Sequence, residues 1–321
     1  MQELVLNILK STDGYVSGAE IGERLGVSRT AIWKAISKLK AEGYNIEAVN
    51  NKGYHLIDDS DIINSQEIKD ILETKLIGKN VVFYPEVSST NDVVKELGEN
   101  DGIEGTVVVA EKQTNGRGRR GRKWESEKGS GLWFSILLRP DIDPRNAPMI
   151  TLIAGISVCL ASRRVTGLPV TIKWPNDVII DNKKICGILT EMSSEIGNIN
   201  YVVVGIGVNV NSESFPDDIS DIATSLKIES NKNIKRKVLL NEILKEFENN
   251  YLDYIKDCDF SKFRDKYRKL CSTINQEVNV IGRETYPATA IDINENGELI
   301  VEKSDGSREV VFSGEVSIRK R

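Results

Sequence analysis

The stretch QTNGRGRRGRKW, residues 113–124, carries Arg117, Arg119, Arg120, Arg122 and Lys123 interleaved with Gly116, Gly118 and Gly121, and contains no acid. Cations this close repel one another, so the segment is poorly ordered unless an anion sits on it. Glycine lets the backbone wrap and brings its N–H groups near a bound anion. Arginine offers a rigid fork matched to carboxylate and phosphate oxygens. The physical reading is a mobile cationic loop that orders around a small anion. A solvated basic loop and a patch that touches nucleic acid remain open beside it. The flanks are β-rich: TVVVAEKQ (106–113) leads in as a strand and GLWFSILL (131–138) leads out as another.

Working outward on the N-terminal side, the pattern is mixed α and β from Ser65 onward. A short helix is expected at 66–73, a strand at 80–84, and a helix after 86–89 with Val93, Val94 and Leu97 inward. Ser88, Ser89, Thr90 and Asn91 crowd that helix start. A cap uses one or two hydroxyls, so the surplus is available to a ligand. On the C-terminal side, an apolar helix is expected at 145–166. Then comes Lys173-Trp174-Pro175-Asn176-Asp177, a compact polar turn, followed by strands at 178–180 and 185–192 around a turn at 181–183. YVVVGIGVNVN (201–211) is β-branched on both faces and reads as a central strand. Asn209 and Asn211 at its end mark a site. Helices are expected at 234–256 and 260–270.

Residues 2–11 place Leu4, Val5, Ile8 and Leu9 on one helical face. Ser17 and Glu20 form a capping box for a second helix to about Leu25, and Gly26 turns the chain. Ser28 caps a third helix, 29–41, with Ile32, Ala35, Ile36 and Leu39 inward. Helix, short turn, helix is the helix-turn-helix layout. Residues 44–57 then form a hairpin, the wing, turning at 50–53. Residues 24–52 hold six Lys or Arg against two Glu, within a chain of net charge −5. That contrast favours DNA, with Ser28, Arg29, Thr30, Trp33, Lys34, Lys38 and Lys52 as the contacting residues. An unspecific module that docks on protein is the alternative. His55, the only histidine, is given no chemistry. Residues 58–65 (DDSDIINS) read as a linker.

The tail, 271–321, changes character: short strands recur about every ten residues between Asn-Gly and Asp-Gly turns, as in a small β-barrel or sandwich. The expected division is therefore 1–63, 64–270 and 271–321.

Composition narrows the chemistry. The 321 residues are 40% hydrophobic and 28% charged, as in ordinary globular proteins. Cys159, Cys186, Cys258 and Cys271 are scattered, without a CxxC pair or Cys/His cluster. That speaks against structural zinc, haem and a disulfide framework. The N-terminus is too short and polar for a signal peptide, and the apolar run near 149–161 is too broken to span a membrane. A cytoplasmic location is expected, with no membrane partner.

Six motifs in this order resemble the biotin–protein ligase family, and most closely its bifunctional ligase and biotin-operon repressor branch: SSTN (88–91), GRGRRGR (116–122), GLWFS (131–135), KWPND (173–177), KICGIL (184–189) and GIGVNVN (205–211). The likeness covers nearly the whole chain and is weakest at 212–223. It implies an α+β protein with three parts: a winged helix-turn-helix, a mixed α/β catalytic domain of the biotin/lipoate ligase type, and a small SH3-like β-barrel. It also implies a two-step reaction. Biotin and ATP give biotinyl-5′-AMP and pyrophosphate, and the biotinyl group then passes to a lysine of the biotin carboxyl carrier protein. In that branch an adenylate-bound homodimer sits on operator DNA.

Arg117, Arg119 and Lys184 are the expected catalytic cations, offsetting repulsion between a carboxylate and the α-phosphate. Ser89, Thr90, Asn91, Gln113, Arg117, Gly118, Arg119 and Lys184 are expected to hold biotin. Arg120, Arg122, Trp124, Asn176 and Asn209 are expected to hold ATP. Trp133 either lines the apolar chain of biotin or is strand core, and Asp177 orients Lys184 or its own turn. No acidic cluster suggests a protein-held metal, so Mg²⁺ arrives with ATP. Arg319 is a weak candidate for ATP. A ligand-sensing regulator without catalysis and a ligase for lipoate or another acid are the competing readings.

Overall fold

Apolar periodicity, helix caps and turn residues divide the chain into two units, Met1–Ile62 and Ile63–Arg321. The structure, a computed structural model, describes residues 1–57, 61–282, 284–312 and 317–320, with only the backbone of 317–320. Residues 58–60 of the expected linker and the Arg319 side chain lie outside what is described.

In the first unit, α1 (Gln2–Ser11), α2 (Gly18–Leu25) and α3 (Arg29–Ala41) are followed by the hairpin β1 (Ile46–Val49) and β2 (Gly53–Leu56). Ser17 caps α2 by accepting from the Glu20 N–H, and Ser28 caps α3 by accepting from Ala31 N–H. The Glu20 carboxylate accepts from Arg24 at 2.6 Å, so only half of the capping box is seen. Gly26 ends α2 at φ +67°, a left-handed turn that glycine adopts without strain. Ile32, Ala35, Ile36 and Leu39 form the buried stripe of α3. On α1 the buried face is Val5, Leu6 and Leu9, whereas Leu4 is 52% exposed. The expected stripe was one position off because Val5 and Leu9 define its centre and Leu6, not Leu4, borders it on the packed side.

The second unit is built on a seven-stranded sheet in the order β3-β4-β5-β9-β8-β7-β6. Its strands are β3 (Val81–Tyr84), β4 (Val107–Ala110), β5 (Gly131–Leu138), β6 (Thr171–Lys173), β7 (Asp177–Ile180), β8 (Lys183–Glu195) and β9 (Asn198–Asn209). β9 is the middle strand, as its apolar run requires. Period-two alternation gives the sheet two different faces. Val202, Val204, Ile206 and Val208 join the main core with α6 (Met149–Thr166) and α8 (Arg236–Tyr254). On the other face, Tyr201 and Val203 pack with Val94 of α5 (Thr90–Glu99), and Gly205, Gly207 and Asn209 follow.

The helix region Pro144–Thr166 is long and apolar enough to cross a membrane by composition. Eleven residues of α6 are buried, so its apolarity is accounted for by the core. Glu248 of α8, 6% exposed, accepts from the backbone N–H groups of Lys75, Leu76 and Ile77. That fixes the turn after α4 (Ser65–Lys69), a helix shorter than expected. α7 (Leu226–Ser230) and α9 (Ser261–Leu270) complete the helices around this sheet.

The tail forms an antiparallel five-stranded sheet from β10 (Gln276–Ile281), β11 (Thr285–Ile293), β12 (Leu299–Glu302), β13 (Arg308–Val311) and β14 (Ser317–Lys320). Its inward residues Val278, Val280, Ala290, Ile293, Leu299 and Val301 share one apolar core with α6 and α9. The expected division at 270 and 271 thus falls inside a continuous core. The indole of Trp174 is buried there and donates from Nε1 to Gly297 O at 3.0 Å. The turn expected to be polar is therefore anchored by its most apolar residue.

Candidate functional site

The cavity floor follows from the alternation just described. Cross-strand pairing lines up Asp177, Gly187, Gly207 and Trp133 across four strands, with Leu189, Gly205 and Ser135 as the next row. Glycines in these rows leave room above the sheet that other segments fill. A Cβ at Gly207 would come within 2.5 Å of Trp124 Nε1, one at Gly187 within 2.9 Å of the same indole, and one at Gly205 within 2.0 Å of Asn91 Oδ1. The cavity above has a volume of about 600 Å³.

All of the expected ligand-holding residues line it: Ser89, Thr90, Asn91, Gln113, Arg117, Gly118, Arg119, Arg120, Arg122, Trp124, Asn176, Lys184 and Asn209. Ser89 is the N-cap of α5 yet makes no side-chain cap bond. Thr90 N–H donates to Gln113 Oε1 at 2.8 Å, and Gln113 Nε2 donates to Ser126 Oγ at 2.9 Å. The SSTN turn and the start of the cationic segment are thereby tied together.

The cationic segment is a small hairpin. Gly118 N–H donates to Arg122 O at 2.7 Å, Trp124 N–H donates to Gly116 O at 2.9 Å, and Arg120 (φ +58°) and Gly121 (φ +70°) make the tip. Repulsion among its cations is relieved by partners within the protein. Arg117 pairs with Asp92, Lys123 pairs with Glu125 at 2.7 Å, and Arg119 donates to Asn176 Oδ1 at 2.9 Å. These partners account for the shape of the hairpin. Burial lowers the pKa of the Arg119 guanidinium against the opposing pull of Asp177, with Arg120 and Arg122 adding to the lowering.

Lys184 Nζ sits 2.6 Å from Asp177 Oδ1 and 5.1 Å from the centre of the Trp124 ring. A cation over an indole face is attracted by the ring quadrupole. Asp177 therefore orients Lys184, one of the two roles expected for it. The Asn176 amide is engaged at both ends: Oδ1 accepts from Arg119, and Nδ2 donates to Ile188 O at 3.0 Å. Asn209 Nδ2 donates to Thr224 O at 3.1 Å, and Asn211 holds Ile234 through both its amide atoms. Trp133 is 1% exposed, donates to Glu127 O at 3.3 Å and packs edge-on against Trp124 at 6.4 Å. Of its two readings, strand core is the one seen, and its ring supports the indole that does line the cavity.

Sequence reasoning missed one wall. Phe215, Ile219, Ile222 and Ala223 line the cavity, and Lys184 bridges to Ala223 through backbone bonds to Ile222 O and from Thr224 N–H. The signal was a phenylalanine beside Pro216 in an otherwise acidic stretch, too weak to stand out. Gly205 and Gly207 were also missed as site residues, though their alternation with valine and isoleucine encodes the floor. Among the described residues no group of three His, Cys, Asp or Glu side chains is arranged to hold a metal.

In the first unit, Ser28, Arg29, Thr30, Lys34, Lys38 and Lys52 are exposed, and Trp33 is 60% exposed at the N-terminal half of α3. Lys52 lies 5.6 Å from the centre of the Tyr15 ring, which also packs on His55 at 5.2 Å. Cations and one aromatic face solvent together, the footprint of a helix that reads a groove.

Comparison with known proteins agrees with this division of labour. Family models match for the biotin/lipoate A/B protein ligase family over residues 83–209, an HTH domain over 2–55, and the biotin protein ligase C-terminal domain over 273–319. The chain is 39% identical over 308 residues to the bifunctional ligase/repressor BirA of Bacillus spizizenii, covering 95% of this chain and 94% of that protein. It is 37% identical to the Bacillus subtilis protein of that name, covering 99% and 98%. The biotin protein ligase from Aquifex aeolicus in complex with biotin and ATP superposes with a TM-score of 0.67 at 34% identity, covering 76% of this chain and 100% of that one.

Proposed function

The chain belongs to the bifunctional ligase/repressor branch of the biotin–protein ligases, and we propose that it makes biotinyl-5′-AMP, biotinylates a carrier protein and represses transcription as a dimer. One observation carries the reading. A single cavity is lined by the polar SSTN cluster, the arginine hairpin and the Lys184–Asp177 pair.

In the first step a biotin carboxylate oxygen attacks the α-phosphorus of ATP, the bond to the β-phosphate oxygen breaks, and pyrophosphate leaves. Two unit charges about 4 Å apart repel by about 4 kcal/mol at an effective dielectric near 20. Lys184, held by Asp177, and Arg119, held by Asn176, offset that repulsion and fix the two anions in line. Arg117 adds to them on leaving Asp92. Ser89, Thr90, Asn91 and Gln113 supply polar contacts to the neutral ureido ring. Trp124, Arg120, Arg122 and Asn209, with the wall at 215–223, take the nucleotide. Mg²⁺ enters bound to ATP as part of that substrate. The hairpin then covers the acyl adenylate and keeps water from it. In the second step an uncharged lysine amine of the biotin carboxyl carrier protein attacks the acyl carbon, and AMP leaves.

A single helix-turn-helix per chain reaches both half-sites of a palindromic operator only as a dimer. Tightening of the arginine hairpin over the adenylate is the step that favours the dimer, so synthesis and repression share one segment. The protein acts in the cytoplasm, where carrier and operator are found. Pyrophosphate release that requires both biotin and Mg·ATP tests the ligase reading. Release with lipoate in place of biotin, or biotin binding without release, would replace it.

A further inference from the structure

A buried chain of hydrogen bonds runs from the surface to the ureido end of the site, and its sense is fixed by one charge. Lys95 Nζ lies 2.5 Å from Glu191 Oε1. Asn91 Nδ2 donates to Glu191 Oε2 at 2.7 Å, and Ser135 Oγ donates to Asn91 Oδ1 at 2.6 Å. Thr90 Oγ1 is 2.7 Å from Ser135 Oγ and 3.1 Å from Gln113 Oε1. Ser135 is fully buried, and Thr90 and Asn91 are nearly so.

An ionised carboxylate only accepts hydrogen bonds. Burial works against ionisation of Glu191, but the hydrogen bonds from Lys95 and Asn91 together with the charges of Lys95 and Arg117 outweigh it and lower the carboxyl pKa. Asn91 must therefore turn its NH₂ to Glu191 and its oxygen to Ser135. Ser135 gives its only proton to that oxygen, so toward Thr90 it can only accept. The Thr90 hydroxyl proton then has two acceptors inside the protein, Ser135 Oγ and Gln113 Oε1. Gln113 is itself held in register by the Thr90 N–H at its oxygen and by Ser126 at its nitrogen. What Thr90 presents to the cavity is a lone pair. Gly205 makes this possible, since a Cβ there would overlap the Asn91 carboxamide.

Resting on the biotin reading above, we propose that Glu191, supported by Lys95, is a specificity-determining positioning residue. Through Asn91 and Ser135 it makes Thr90 an obligate acceptor, so the site selects a ligand N–H at that point and rejects an oxygen there. Glu191 touches no substrate. Its amide counterpart can reverse the whole chain: a glutamine donates to Asn91 Oδ1, Asn91 Nδ2 donates to Ser135, Ser135 donates to Thr90, and Thr90 donates to the ligand.

The test compares binding of biotin with binding of the two carbamate analogues in which one or the other ureido N–H is replaced by oxygen. Calorimetry is run on the full-length wild type and Glu191→Gln. In the wild type one carbamate binds about 10²-fold more weakly than biotin, because an acceptor then faces an acceptor. In Glu191→Gln, where the reversed chain makes Ser135 a donor toward Thr90, that ratio falls below about tenfold. A residue that merely supported packing would weaken all three ligands alike and leave the ratio at its wild-type value; that result in Glu191→Gln overturns the proposal. A wild type that binds biotin and both carbamates equally overturns it too. A wild type that does not bind biotin at all refutes the functional reading on which the proposal rests.

Discussion

Lys184→Met is the substitution whose effect can be worked furthest from the geometry. The ammonium is held 2.6 Å from Asp177 Oδ1 and faces the indole of Trp124, so it is preorganised rather than free to swing. Removing one preorganised donor from a site where charge develops costs about 10²- to 10³-fold in rate. The same change strips Asp177 of its closest cation and leaves a carboxylate lining the cavity. At an effective dielectric near 20, two such charges repel by about 1.4 kcal/mol even at about 12 Å, a further tenfold. Biotin-dependent pyrophosphate release in a single turnover should therefore slow by about 10³-fold or more. Lys184→Met/Asp177→Asn should recover about tenfold of it. A single variant that adenylates at the wild-type rate refutes the role given to Lys184. A double variant no faster than the single one refutes the electrostatic account of Asp177.

Other consequences concern the parts around that pair. Asn176→Ala removes a 2.9 Å hydrogen bond that helps to place Arg119, so biotinyl-5′-AMP should escape about tenfold faster while its synthesis slows less; adenylate release into a filtrate measures both. Gly207→Ala puts a Cβ within 2.5 Å of Trp124 Nε1, so the indole must move, and KM for ATP should rise about tenfold with a shift in tryptophan emission. Glu248→Leu leaves the N–H groups of Lys75, Leu76 and Ile77 without their acceptor and should cost about 3 kcal/mol or more in urea denaturation. Arg29→Ala and Lys34→Ala should each weaken operator binding and reduce its salt slope by about one ion where a phosphate contact is lost, without altering pyrophosphate release.

What was legible in the chain depended on how local the physics is. The limits and buried stripe of α3 follow from Ser28, the helical period and the residues up to Ala41 alone. β5 could be read from GLWFSILL because all eight residues are buried. The lining of the cavity was legible through motifs that each carry their own chemistry. What could not be read depended on partners distant in sequence. Asn176 was expected to hold ATP, and nothing near it in the chain announced that Ile188 O on β8 and Arg119 on the hairpin would engage its amide. Gly205 and Gly207 are ordinary glycines until α5 and the hairpin are laid over them. Ser135 was hidden inside a strand motif, and its hydroxyl acquires meaning only between Thr90 and Asn91. The tail strands were visible, but their sharing of a core with α6 and α9 was not.

The central claim is that the cavity activates biotin and hands it on. The measurement that tests it most directly is the intact mass of a biotin carboxyl carrier domain incubated with this protein, biotin and Mg·ATP. The account predicts a gain of one biotinyl group on one lysine, dependent on ATP and lost in Lys184→Met. A carrier of unchanged mass, with biotin bound to the protein and ATP intact, would contradict it and leave a ligand-sensing regulator in its place.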